Sequence, residues 1–144
     1  MPEPAVALSW GLLVDDRPRS GFENMALDAT LLRAAAAGHT FLRLYQWSPA
    51  CLSFGRHEPA LTRYDRDRIE EMGLDTVRRP TGGRAVWHNE EVTYALAAPA
   101  NAFGSLPDSY AIIHAMIARA LKRMDVPCGI APAPRSRHPA PSAG

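Results

Sequence analysis

The sequence predicts an α+β domain built on a mixed or antiparallel sheet with helices packed against it. Three observations carry that expectation. Stretches of apolar residues at helical spacing stand near residues 21–37, 61–72 and 107–124. Short β-type runs lie between them, rich in aromatic and branched side chains. Glycine- and proline-bearing turns separate those runs. With 144 residues, 47% of them hydrophobic, the chain can bury a real core.

Ser20-Gly-Phe-Glu23 has the form of a capping box, and Phe22, Met25, Ala29, Leu32 and Ala36 follow at helical spacing before Gly38. A helix over 21–37 is therefore expected. TFLRLYQW at 40–47 reads as a strand, and after the Ser48-Pro49 turn Cys51–Phe54 reads as a second, with Cys51 a small core residue. Leu61, Tyr64, Ile69 and Met72 sit among charges ahead of Gly73, which predicts a surface helix over 61–72. Strands are expected at Leu74–Arg78, Arg84–His88 and Val92–Ala98. Pro107 and Asp108 open an amphipathic helix whose stripe of Ile113, Met116, Ile117, Ala120, Leu121 and Met124 should be core. Residues 1–126 thus form the folded part, and the Pro/Ala-rich 127–144 a loop or disordered tail.

Formal net charge is +1, from 16 basic and 15 acidic side chains, so neither a nucleic acid nor an anionic membrane is the expected partner. No apolar run approaches the roughly 18 residues of a membrane span, and MPEPAVALSW lacks the order of a signal peptide. Cys51 and Cys128 have no disulfide-framework or metal-ligand spacing, so no metal is expected and a reducing cytoplasm is the expected location.

The chemistry concentrates in Val77–Ala98, VRRPTGGRAVWHNEEVTYALAA. Two arginines end a strand, a Gly-Gly turn follows, and a β-type run leaves it. A glycine pair lets a ligand approach the main chain, whose N–H groups can point at a carbonyl or phosphate oxygen. Arg78, Arg79 and Arg84 place positive charge around the turn, suited to bidentate contact with phosphate or carboxylate. The residues alone leave two readings open: an anion or acyl-carbonyl site, or a hairpin with a solvated basic edge. His88 could face the pocket or the other side of the sheet, and His57 a pocket rim or a plain turn. His114, His138 and Lys122 read as surface residues, while Trp47 and Trp87 read as core.

RRPTGGRAVWH followed by Glu91-Val-Thr-Tyr94 resembles the lipoate-protein ligase and octanoyltransferase family, related to the biotin protein ligases. Asn24-Met-Ala-Leu-Asp28 is similar to that family's helix opening. Leu42-Arg-Leu-Tyr45, Trp47, Pro49 and Ser53-Phe-Gly-Arg-His57 are similar to its strand pair, in the same order. The resemblance implies a biotin/lipoate ligase-like fold. It further implies that Arg79, Gly82, Gly83, Arg84, Ala85, Val86, Trp87 and His88 line the pocket for the acyl group and its activated carbonyl.

Pro80-Thr81 before the glycines, and Arg84 where ATP-using ligases carry a third glycine, place the wording nearer the octanoyltransferase branch. Those enzymes move an octanoyl group from acyl carrier protein to a lysine of a lipoyl-domain protein, such as the glycine-cleavage H protein. The implied route is covalent, through a cysteine thiolate, with a lysine polarising the acyl carbonyl and no cofactor. Asn89 and Ala95 depart from the family's usual Asp and Ser. The family's lysine strand and nucleophilic cysteine have no counterpart after Val126, so the domain is expected to be incomplete and inactive alone, with no catalytic residue in this chain. Two alternatives remain at this level: a lipoate ligase using ATP and magnesium, and a non-catalytic half-domain that binds an acyl chain or a lipoyl domain.

Overall fold

The capping box starts the first helix as its sequence predicts. In a computed structural model of the protein, residues 10–131 are described. The Ser20 side chain accepts from the Glu23 N–H, and Glu23 accepts from the Ser20 N–H. The elements in chain order are β1 (Trp10–Val14), α1 (Gly21–Ala36), β2 (Thr40–Tyr45), β3 (Cys51–Phe54), α2 (Ala60–Arg63) and α3 (Arg66–Glu71). They continue with β4 (Asp75–Arg78), β5 (Val86–His88), β6 (Thr93–Ala97) and α4 (Leu106–Arg123). The elements divide into two units, one up to Ala102 and one from Phe103 onward.

The first unit holds two three-stranded sheets rather than one. Their orders are β1-β2-β6 and β4-β3-β5. Each is mixed: β1 runs parallel to β2 and β4 to β3, whereas β6 and β5 pair antiparallel with β2 and β3. β1 was not legible in the sequence. Its WGLLV run shows no regular alternation of polar and apolar residues, and its partner β2 lies 30 residues on (Trp10 opposite Thr40).

α1 bridges the two sheets. Its first N–H, at Gly21, donates to the Asp75 carboxylate of β4 at 2.8 Å, and a Cβ at Gly21 would lie only 2.7 Å from Cys51 Sγ. Met25 joins Tyr45, Trp47 and Cys51 in the core, with Val77 and Ala95 packed against them. Cys51 is a buried core residue, as the sequence predicts. Arg43 also faces α1 from β2, with none of its side chain exposed. Its guanidinium donates to both Asp15 oxygens, to Asp28 and to the side chain and carbonyl of Asn24, and it lies 4.0 Å from the Tyr45 ring centre. Burying a guanidinium is tolerable only with such partners.

Two helical expectations are corrected. The single helix over 61–72 is broken into α2 and α3. Tyr64 turns its hydroxyl onto Glu58 and its ring onto Phe54, and Asp65 then caps a new helix by accepting from the Arg68 N–H. Within the second unit by itself the stripe of α4 is not buried. The helix forms over Leu106–Arg123 with its own capping box at Ser105 and Asp108, yet none of its residues is buried. Within that second unit, Ile113, Ile117 and Leu121 are half-buried, and the half-buried Cys128 lies 3.5 Å from the Ala118 carbonyl. Residues 124–131 hold no helix or strand; the remainder of the tail expected from 127, with His138, lies outside the described residues.

Candidate functional site

The site begins with a backbone contact. Gly55, just past β3, packs against the Gly82-Gly83 turn so closely that a Cβ on it would lie 1.9 Å from the Gly83 carbonyl oxygen. Gly83 itself has φ of 97°, a left-handed backbone that only glycine adopts without strain. The two segments are then laced together. The Arg56 N–H donates to the Thr81 carbonyl at 2.9 Å, and the Ala85 N–H donates to the buried Glu58 carboxylate. Glu58 is also held by Arg63 and by the Tyr64 hydroxyl.

Arg78 and Arg79, at the end of β4, tie down the main chain of these loops. Arg78 donates to the carbonyls of Gly55, Arg56 and Glu58. Arg79 donates to the Gly82 and Arg84 carbonyls at 2.9 and 2.6 Å and to the Ser53 carbonyl at 2.6 Å. With its carbonyls held in this way, the turn keeps one shape. Above Gly82 there is open space: a Cβ there would meet nothing within 4 Å.

Behind the turn runs a chain of hydrogen bonds with one polarity. Arg79 donates to the Ser53 hydroxyl at 3.1 Å, and that hydroxyl lies 2.7 Å from His88 Nε2. On its other side His88 Nδ1 lies 2.6 Å from Glu91 Oε1. Trp47 Nε1 donates to Thr93 Oγ1, and Thr93 donates to the same Glu91 oxygen. Both ends are obligate donors and Glu91 is the acceptor, so His88 Nδ1 carries the proton that points at Glu91. Burial works to raise the Glu91 carboxyl, but the His88 and Thr93 bonds prevail and hold it below its ordinary range. Trp47 stacks on the His88 ring at 3.9 Å and 11°.

The residues expected to line the pocket therefore fall into three groups. Arg79 and His88 turn their side chains into the supporting network, His88 being buried. Gly82, Gly83 and Ala85 contribute main chain at the turn. Arg84, Val86 and Trp87 are exposed, Trp87 by 56%, so Trp87 is not the core residue expected while Trp47 is. His57 sits exposed in the Gly55–Glu58 segment; His114, Lys122 and Asn89 are exposed too, and Ala95 packs on the core. Sequence reasoning missed Ser53, Glu58, Glu91 and Thr93 as supports. Their only signal was position: Ser53 inside SFGRH, Glu58 directly after it, and Glu91 and Thr93 inside E-x-T-Y.

Cys51 is no nucleophile in this setting. Burial, and after it the Asp75 carboxylate, push its thiol up to about 12, so thiolate is scarce near neutrality. Among the described residues neither Cys51 nor Cys128 hydrogen-bonds to a base.

The fold and these motifs agree with the sequence comparisons. Residues 20–137 match the lipoyl protein ligase A/B catalytic domain, and the chain belongs to that family. Among curated relatives it is 36% identical over 130 residues to an octanoyltransferase LipM of Moorella thermoacetica, covering 87% of this chain and 47% of that protein. It is 35% identical over 123 residues to the octanoyltransferase LipM of Exiguobacterium sibiricum, covering 82% and 44%. The chain thus spans about half the length of these relatives. In fold it resembles a lipoate-protein ligase A solved with bound ATP, at TM-score 0.69 and 20% identity, over 79% of this chain and 46% of that one. A bi-partite lipoate protein ligase from Thermoplasma acidophilum, solved in a study that includes its E2 lipoyl domain, matches at TM-score 0.71 and 18% identity, over 87% and 49%. The biotin/lipoate ligase-like fold expected from the motifs is the one observed. No helix among the described residues is long and apolar enough to cross a membrane.

Proposed function

We propose that this chain supplies the acyl-binding half of an octanoyltransferase: it seats the acyl thioester of an octanoyl acyl carrier protein while the group passes to a lysine of a lipoyl-domain protein. The observation that carries this reading is the open space above Gly82, on a turn whose Gly82 and Arg84 carbonyls accept from Arg79 and whose neighbour Val86 is exposed apolar surface. The main-chain N–H groups left around Gly82-Gly83 suit the oxygen of a thioester carbonyl, and the exposed Val86, on the same face of β5 as His88, suits an octanoyl chain. The relatives' printed activity supports the choice of acyl group.

In this reading His88, stacked on Trp47 and held between Ser53 and Glu91, positions rather than reacts. It holds Ser53, which helps to hold Arg79, which holds the turn. The nucleophilic thiolate and the carbonyl-polarising lysine come from outside the described residues, the reaction takes no cofactor, and the setting is the cytoplasm. Effective transfer needs all these groups in one fixed geometry. The test is to incubate purified chain with octanoyl acyl carrier protein and a lipoyl domain, and to weigh the acceptor by mass spectrometry. No octanoylation by the chain alone, and octanoylation once the C-terminal half of a LipM relative is added, is expected. Transfer by the 144-residue chain alone would overturn the half-site reading. Continued failure with the added half would overturn the acyl-transfer reading.

A further inference from the structure

Residues 89–92 join β5 to β6, strands that belong to different sheets. Within this short connection Glu90 has φ of 47°, and among the described residues only Asp125 shares that left-handed backbone without being glycine. Such a backbone costs energy that the surroundings must offset. The next residue meets both strands. Glu91 Oε1 accepts from His88, the last residue of β5, and from Thr93, the first of β6, each at 2.6 Å.

Three groups hold the His88 ring, and two of them leave its direction open. Trp47 stacks on it at 3.9 Å and 11°, which fixes the plane of the ring but not its rotation within that plane. Ser53 lies 2.7 Å from Nε2, and a hydroxyl either donates or accepts, so it selects neither tautomer. An ionised carboxylate only accepts. Burial works to raise the Glu91 carboxyl, yet the His88 and Thr93 bonds keep it below its ordinary range, so it is ionised near neutrality. Glu91 is thus the group that decides which nitrogen of His88 faces it with a proton. From there the connection runs to the turn: Nε2 meets the Ser53 hydroxyl, that hydroxyl accepts from Arg79, and Arg79 donates to the Gly82 and Arg84 carbonyls. His88 and Ser53 are buried, so bulk water does not replace a partner that either one loses.

We infer that Glu91 is a positioning residue for this site: by accepting from His88 and Thr93 at once, it fixes the direction of the His88 ring and, through Ser53 and Arg79, the shape of the Gly82-Gly83 turn. The inference rests on the acyl-transfer reading for what the turn binds, and on geometry for how the turn is held. The accepting oxygen matters here, not the charge. Glu91 Oε2 has no hydrogen-bond partner among the described residues, so the NH2 of a glutamine fits in its place. Thr93 accepts from Trp47 and still needs an acceptor for its own proton, which keeps the glutamine carbonyl turned toward His88 and Thr93.

The test is nitrogen NMR of the imidazole and of the backbone amides on the full chain, with E91A and E91Q alongside. In the parent at neutral pH, His88 Nδ1 should carry a proton, and E91Q should keep it there. In E91A part of the population should carry its proton on Nε2 alone. The Gly82 and Gly83 amide resonances should shift in E91A, although they lie nine and eight residues from the substitution, and stay in place in E91Q. Titration calorimetry with S-octanoyl-pantetheine should show binding about tenfold weaker in E91A, the scale of one hydrogen bond, and changed by less than about twofold in E91Q. The parent spectrum needs no variant and so decides even where E91A does not fold: a bare Nδ1 overturns the inference. Unmoved Gly82 and Gly83 resonances in a folded E91A overturn it too, and equal losses in E91Q and E91A would assign the effect to charge instead of position. Resonances that move as expected in a parent that binds no thioester would sink the acyl-transfer reading and leave the hold of Glu91 on the turn standing.

Discussion

Gly55 and Gly82 belong to the same pair of loops, yet adding one methyl group to each has opposite consequences. At Gly55 the new Cβ meets a backbone carbonyl at 1.9 Å, and backbone cannot step aside as a flexible side chain can. Gly55→Ala must pry the two laced segments apart, and we expect a loss of at least about 2 kcal/mol in urea unfolding. At Gly82 nothing lies within 4 Å, so Gly82→Ala should change stability by no more than about 0.5 kcal/mol. The same methyl then occupies the space assigned to the acyl carbonyl, so G82A should weaken octanoyl thioester binding while unfolding like the parent. Gly82→Ala that binds the thioester normally would remove the turn from the site.

At the scale of elements, α1 is held on β2 by charge as much as by apolar contact. Arg43→Met fills similar volume but leaves Asp28 without its cation and Asp15 with Arg19 alone, and the expected destabilisation is about 3–5 kcal/mol by thermal or urea unfolding. The pH dependence carries a sign. The Asp15 carboxyl lies below its ordinary value, first because of the Arg43 hydrogen bonds. Glu23, held by the Ser20 N–H and Arg17, lies at about 2, and Glu91 is depressed as well. The unfolded chain binds protons at these groups before the folded chain does. Their stabilisation is present above about pH 4 and is lost as pH falls through the lower folded values. Asp28 opposes this: burial raises its carboxyl despite the Arg43 and Tyr45 bonds, so the folded chain takes up that proton earlier. The depressed groups outnumber it. Urea midpoints should therefore fall between about pH 4 and pH 2, and a midpoint that rises across that interval would contradict the assignment.

Across the first unit, the sheet β1-β2-β6 presents α1 to one face and an apolar surface on the other. Register places Leu12, Leu42 and Leu96 in one row and Val14, Leu44 and Tyr94 in the next, and Leu12 and Val14 are 66% and 65% exposed. Apolar surface of this kind drives association in water. Sedimentation velocity on the 144-residue chain should show a sedimentation coefficient that rises with concentration, and the double variant L12S/V14T should lower it at fixed concentration. Insensitivity to both would mean that this face is covered in solution.

Much of the fold was legible because its causes are local. Ser20 with Glu23 starts α1, Gly38 follows its end, and the alternation in TFLRLY makes a strand; none of these needs a distant partner. The PTGGR turn and the family itself were legible for the same reason, since their residues are contiguous. Tertiary structure alone decided that Arg78 and Arg79 build the turn while Arg56 and Arg84 stay free. That division depends on which carbonyls lie within reach, and those of Ser53, Gly55, Arg56 and Glu58 stand 20 to 26 residues away in the chain. It decided, too, that β1 exists and that the strands form two sheets. Each of these turns on what a segment packs against, and a segment's own side chains do not specify a partner that lies far along the chain.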